Sequence, residues 1–133
     1  MLTAKEAKEF ADNIHRARSR YSHEFVNVLI SSAVEPSIRV AAEKYACYKV
    51  DLYRLAEHTR TDENGSYIDI NSLFSCKQSR RAAGFGEDVN AVVYVKDLVE
   101  QLTELGFRVA VIPKIKEGNE LVPSGVKYFE VSW

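Results

Sequence analysis

The chain has 133 residues, 46% of them hydrophobic and 28% charged, with a formal net charge of −1 and a pI near 6.3. Those values suit one globular domain with enough apolar material to bury its own core, and they speak against a basic nucleic-acid coat. Residues 1–60 hold 10 Lys/Arg against 8 Asp/Glu and residues 61–133 hold 8 against 11, so +2 faces −3, too mild a contrast to name a partner. Cys47 and Cys76 form neither a CxxC pair nor a disulfide framework and suit a reducing compartment. No apolar core of a signal peptide follows Met1, and no apolar run approaches the roughly 20 residues of a membrane span. The expectation is a soluble chain, made in a cytoplasm, without a membrane partner and with both ends packed on the domain or on a neighbour.

Thr3-Ala4-Lys5-Glu6 is a capping-box pattern that opens a helix. Ala7, Phe10, Ile14, Ala17, Tyr21, Phe25, Val28 and Leu29 step by three or four and predict one apolar stripe running to about Ser32, within a helical segment 1–34. Glu9, Asp12, Arg16 and Arg20 fall on another side, with Asp12 and Arg16 spaced as an ion pair. A break near Tyr21-Ser22 would shorten it; unbroken, it would project beyond the domain and offer a surface. Pro36 predicts an interruption and a second helix to Tyr45, with Ile38, Ala41, Ala42 and Tyr45 facing inward. Residues 47–52 alternate as a strand, Tyr48, Val50 and Leu52 inside, Lys49 and Asp51 outside.

Residues 53–91 read as an irregular insertion. Asp62-Glu63-Asn64-Gly65 is turn chemistry, 67–70 predicts a short strand, and Ser72 is placed to cap one helical turn. Lys77 to Gly86 is basic and glycine-punctuated and predicts an exposed loop. The C-terminal third reads as helix, strand, hairpin and strand. Leu98, Val99, Leu102 and Leu105 recur at helical spacing, and Gly106 sits where a helix stops. Residues 107–112 follow as a β run ended by Pro113, Glu117-Gly118-Asn119-Glu120 turns the chain, and Pro123-Ser124-Gly125 precedes the last strand. There Phe129, Val131 and Trp133 alternate with Tyr128, Glu130 and Ser132.

The helix–strand piece 41–52, the punctuation Leu102-Thr103-Glu104-Leu105-Gly106-Phe107-Arg108-Val109 and the close Tyr128-Phe129-Glu130-Val131-Ser132-Trp133 resemble small α/β proteins encoded by tailed bacteriophages. The likeness covers about half of the chain, and residues 53–91 exceed its usual length. Such proteins are mostly of unassigned function and some are virion components, so the resemblance implies an origin more than an activity.

No motif carries chemistry. His15, His23 and His58 lack ligand spacing for a metal, and the helix face of Arg16, Arg20 and His23 reads first as a solvated, salt-bridged face, then as an interface patch, then as a phosphate contact. Lys77, Arg80 and Arg81 with Phe85 between glycines are ranked as a mobile loop before an inter-subunit or nucleotide contact, because neither phosphate-loop pattern is complete. Cys47 reads as a buried structural thiol, and the adjacent carboxylates Asp62/Glu63 and Glu87/Asp88 as solvated. Trp133 either seals its own core or enters a neighbour's pocket.

The reading is a single α+β domain over 1–133, with two or three helices on one face of a small, mainly antiparallel sheet. It is expected to be non-enzymatic, with no cofactor and no metal. Its partners are expected to be other copies of itself or phage structural proteins, with a virion role, and nucleic acid bound through the arginine clusters is the alternative.

Overall fold

A computed structural model describes residues 1–87, 91–113 and 127–133, excepting the side chains of 112, 113, 127 and 128. The turn at Glu117–Glu120, the Pro123-Ser124-Gly125 segment and Asp88 lie outside the described residues. The protein is a single α+β domain with two three-stranded antiparallel sheets, where one sheet was expected.

Helix α1 spans Ala4–Leu29 without a break at Tyr21-Ser22. Thr3 caps it as its pattern predicts, its hydroxyl oxygen accepting the Glu6 N–H at 3.2 Å. The chain does not stop at Pro36. A π turn (Ile30–Val34), α2 (Glu35–Arg39) and a second π turn (Val40–Lys44) carry the helical run on. The apolar spacing explains why: Leu29 and Val34, both wholly buried, are five residues apart, one more than an α-turn allows. The π turn absorbs the extra residue and keeps both on the core side. Ser31 and Ser37 donate their hydroxyls to the carbonyls of Asn27 (2.6 Å) and Ala33 (3.0 Å) around this irregularity. The run ends without glycine, through Ala46 at φ +51, with the Cys47 N–H on the Ala41 carbonyl at 2.9 Å.

Strand β1 (Lys49–Asp51) follows. Residues 53–91 are not irregular: they hold α3 (Tyr53–Glu57), the hairpin β2 (Thr59–Asp62) and β3 (Gly65–Asp69), α4 (Ile70–Leu73) and α5 (Lys77–Ala82). Short elements carry little periodicity, which hid them. Asp69, not Ser72, caps α4, accepting from the N–H groups of Asn71 and Ser72. Strand β4 (Val92–Tyr94), α6 (Val95–Glu104), β5 (Arg108–Pro113) and β6 (Lys127–Ser132) complete the chain. Gly106 stops α6 at φ +93, and the Phe107 N–H returns to the Leu102 carbonyl at 3.0 Å.

One sheet runs β1-β6-β5 and the other β2-β3-β4. In the first, Val50, Val131 and Val109 stand in one register row and Val111 opposes Phe129 on the same face. This face, β4 and the buried sides of α1 and α6 enclose one core containing Leu29, Val34, Ile68, Val93, Leu98, Leu102, Phe129 and Val131.

The expected inward Tyr48 and Tyr45 are instead exposed (76% and 65%), because β1 is a sheet edge and the helical run ends there. Cys47, expected buried, is exposed for the same reason. The N-terminus is not packed either: Met1 and Leu2 stand in solvent. The helical run Ala4–Lys44 contains an 18-residue stretch with mean hydropathy 1.2, long and apolar enough to cross a membrane by length and composition. The sequence reading missed this because Glu35 and Arg39 interrupt the apolar letters; they pair at 2.9 Å. Within the same run Val26, Leu29 and Val34 are core residues.

Replacing Gly106 with alanine forces a side chain into the left-handed region and should lower stability by about 1 kcal/mol. Thermal melts of Gly106→Ala against Gly86→Ala, whose added methyl meets open space, check this; equal midpoints would refute it.

Candidate functional site

Two polar clusters tie α1 to the rest of the molecule. In the first, wholly buried Ser22 accepts the Tyr94 N–H at 2.9 Å and donates its hydroxyl to Asp97 Oδ2 at 2.5 Å. Asp97 is itself buried, in the first turn of α6, where the helix dipole favours a carboxylate. His23 approaches Asp97 Oδ1 from solvent, Nε2 at 3.7 Å. Serine, histidine and aspartate thus meet, but in the wrong order for nucleophilic catalysis. The imidazole has to stand between hydroxyl and carboxylate; here the carboxylate stands between, and solvent cannot reach the hydroxyl. This arrangement fastens a helix.

The second cluster centres on Asp62, at the end of β2. Its Oδ2 accepts the Tyr94 hydroxyl at 3.1 Å and has His15 Nδ1 at 3.6 Å and Arg18 Nη1 at 4.0 Å. Its Oδ1 accepts the Asn64 N–H at 2.7 Å, closing the hairpin turn that the sequence predicts. The Arg18 guanidinium lies 5.2 Å from the centre of the Tyr67 ring, which meets Tyr94 edge-on at 6.0 Å. Burial pushes the Tyr94 hydroxyl above its ordinary pKa; the Asn64 side chain opposes this and the Asp62 carboxylate adds to it. Beside the cluster is a cleft of about 400 Å³ lined by Asp12, His15, Arg16, Ser19, Glu63 and Asn64. Its acids and bases are mixed, so it favours no ligand of one charge.

The predicted site residues do not converge. Arg16 is exposed and donates Nε to the Asp12 carbonyl at 3.4 Å instead of pairing with its carboxylate. Arg20 is exposed and lies over the Tyr21 ring at 5.6 Å. His23 belongs to the Asp97 cluster. The segment 77–82 is helix α5, not a loop, because residues 77–82 close their own backbone bonds. Lys77 reaches Glu87 at 3.2 Å and Arg81 also pairs with Glu87, so the two cations share one carboxylate; together they hold the Glu87 carboxyl below its usual range, the Arg81 hydrogen bond most strongly. Arg80 is buried, and so is Phe85, against Phe25 and Phe74 at 5.7 and 5.4 Å. Phe85 is a core residue and offers no stacking face. Gly84, at φ +90, lets this segment approach Val28 closely. Trp133, expected to seal the core or enter a neighbour's pocket, is exposed at the sheet's end and meets Phe107 edge-on at 6.5 Å. Cys76 is exposed, and the backbone N–H groups of Ser79 and Gln78 hold its thiol below the ordinary value.

Sequence reasoning missed Ser22, Tyr94 and Asp97, and it read Asp62 correctly as a turn residue but wrongly as solvated, since its side chain is only 10% exposed beneath His15, Arg18 and Tyr94. Ser22 alone gave a signal, as a small polar residue inside an apolar stripe. No protein-family model, no curated protein and no solved structure matches the chain.

Among the described residues no group of three metal-ligating side chains converges. An open concavity of about 800 Å³ lies at the β1-β6-β5 sheet, with Tyr48, Lys49, Arg108 and Trp133 in its lining. What the surface does show is apolar and uncovered. Phe10 (59%) and Ile14 (41%) stand in solvent on the arm of α1 that precedes Ser22.

Ser22→Ala strands a buried carboxylate and a backbone N–H, and should cost about 2–3 kcal/mol in urea unfolding. Asp97→Asn keeps an acceptor and should cost less; a Ser22→Ala loss under about 0.5 kcal/mol would show that the cluster does not fasten α1. With its folded pKa raised, Tyr94 contributes stability fully present below its unfolded value near pH 10 and lost as pH rises through the folded value. Tyr94→Phe should therefore flatten the stability decline above about pH 10, as followed by urea midpoints; parallel curves would refute this.

Proposed function

We propose that this protein is a non-enzymatic assembly protein of phage type, working through protein–protein contacts, with a place in or on the virion. The observation that carries this reading is the arm of α1. Its N-terminal turns extend the same three-and-four apolar spacing that builds the core, yet present Phe10 and Ile14 to solvent, with Met1 and Leu2 at the tip. An apolar helical face is a ready surface for a groove or another helix. The phage origin rests on the resemblance of the chain's ending, and the non-enzymatic character on the fastening geometry around Ser22 and Asp62. Other copies of the chain and other phage structural proteins are the partners that fit. The alternative, binding of nucleic acid, rests on Arg16 and Arg20 and on Lys77 and Arg81, whose two positive charges share the single Glu87 carboxylate.

Mass spectrometry of particles purified from the source of the gene should find the chain as a stoichiometric component. A Phe10→Ser/Ile14→Ser variant, folded by circular dichroism because both positions are exposed, should enter particles at least about tenfold less, as expected for losing two buried apolar side chains. Absence of the chain from particles would overturn the reading, and equal incorporation of the variant would remove the arm from it.

A further inference from the structure

Strand β1 is the outer strand of its sheet, and no strand lies beyond it among the described residues. The Trp133 N–H bonds the Tyr48 carbonyl at 3.0 Å, and the Leu52 N–H bonds the Phe129 carbonyl at 2.8 Å. Bonding direction alternates along an antiparallel strand. Tyr48, Val50 and Leu52 therefore turn their backbone groups toward β6, and Lys49 and Asp51 turn theirs to the open side. An edge of this kind recruits another strand unless something blocks it, and like-charged side chains are the usual block.

Here the guard residues carry opposite signs, at positions symmetric about Val50. We propose that β1 pairs antiparallel with β1 of a second copy, about a two-fold axis at Val50, joining the two sheets into one of six strands. Lys49 of each copy then stands opposite Asp51 of the other, twice, and these two residues exchange the unused backbone hydrogen bonds. The attraction extends inward. The register aligns Arg108, Ser132 and Lys49 in one row, and Ala110, Glu130 and Asp51 in the next. The two-fold axis sets the basic end of the first row against the acidic end of the second. Pairing slipped to Lys49 on Lys49, or Asp51 on Asp51, opposes like charges, so one register is selected.

The inner face favours the same occupant. An apolar groove of about 490 Å³, lined by Pro36, Ser37, Val40, Ala41, Tyr45 and Val50, runs under this edge. Tyr48, Tyr45 and Val40 are exposed beside it, and the incoming strand delivers its own Val50 and Tyr48 to that side. The inference deepens the assembly reading and rests on it for the idea that this chain meets other proteins. It uses a separate surface, at the opposite end of the helical run from the arm.

Sedimentation equilibrium of the full chain at low salt tests it. Wild type should be a dimer. Lys49→Asp and Asp51→Lys should each raise the dimer dissociation constant roughly tenfold or more, because both cross-strand pairs become repulsive. An equimolar mixture of the two variants should form a heterodimer, and the double variant K49D/D51K should dimerise again. Both substituted positions are exposed strand residues, and unchanged melting temperatures confirm folding. A monomeric wild type, or single variants that dimerise like wild type, would overturn the proposal. Phe10→Ser/Ile14→Ser should dimerise normally; if it does not, self-association belongs to the arm, which overturns this inference and leaves the assembly reading standing.

Discussion

The buried hydroxyl of Ser22 is the point on which the molecule turns. It is the single polar group on the inner face of α1 that joins a strand, through the Tyr94 N–H, to a helix, through Asp97. Burying a carboxylate is costly unless its oxygens are satisfied, and here the satisfaction comes from a residue 75 positions away in sequence. The contact therefore forms only when α1, β4 and α6 have all arrived. It fixes how far α1 can slide along the sheet, and so which part of that helix is core and which part is arm. Asp62 makes a second, mostly buried fastening one to two turns earlier, where Arg18 and His15 lean onto the hairpin.

Much of the fold was legible because it is local. Capping at Thr3, the stop at Gly106, the Asp62–Gly65 turn and the alternation of Phe129 and Val131 each follow from a few adjacent residues, and each is present. The continuous helix past Pro36 was not legible, since the apolar spacing slips by one residue between Leu29 and Val34 and reads as an ending. The elements between 53 and 82 are too short to show a period, and the second sheet they build depends on β4 arriving from beyond them. The clusters at Ser22 and Asp62 escaped for the same reason: their members are ordinary letters until the chain has folded. Phe85 misled in the opposite direction. Glycines on either side suggest an exposed loop, whereas Gly84, at φ +90 and close to Val28, turns the chain so that the aromatic ring enters the core.

The unspent surfaces lie at the two ends of one helical run. At its start the arm carries apolar side chains into water; at its finish Val40, Tyr45 and Tyr48 flank an edge strand with open hydrogen-bonding groups. A domain of this size with a well-filled core has no folding need for either. Contacts at both ends would make the chain a connector, binding like to like at the sheet edge and something else at the arm.

The π turn at Ile30–Val34 bears on which changes of length the helical run accommodates. An extra residue is already accommodated there as a local bulge, so losing Ser31 or Ser32 would return that stretch to regular geometry while α1 and α2 kept their facing. The same deletion a few positions upstream would swing the arm about 100° around the helix axis. By this geometry a one-residue deletion is expected to be tolerated better at the two π turns, Ile30–Val34 and Val40–Lys44, than along α1.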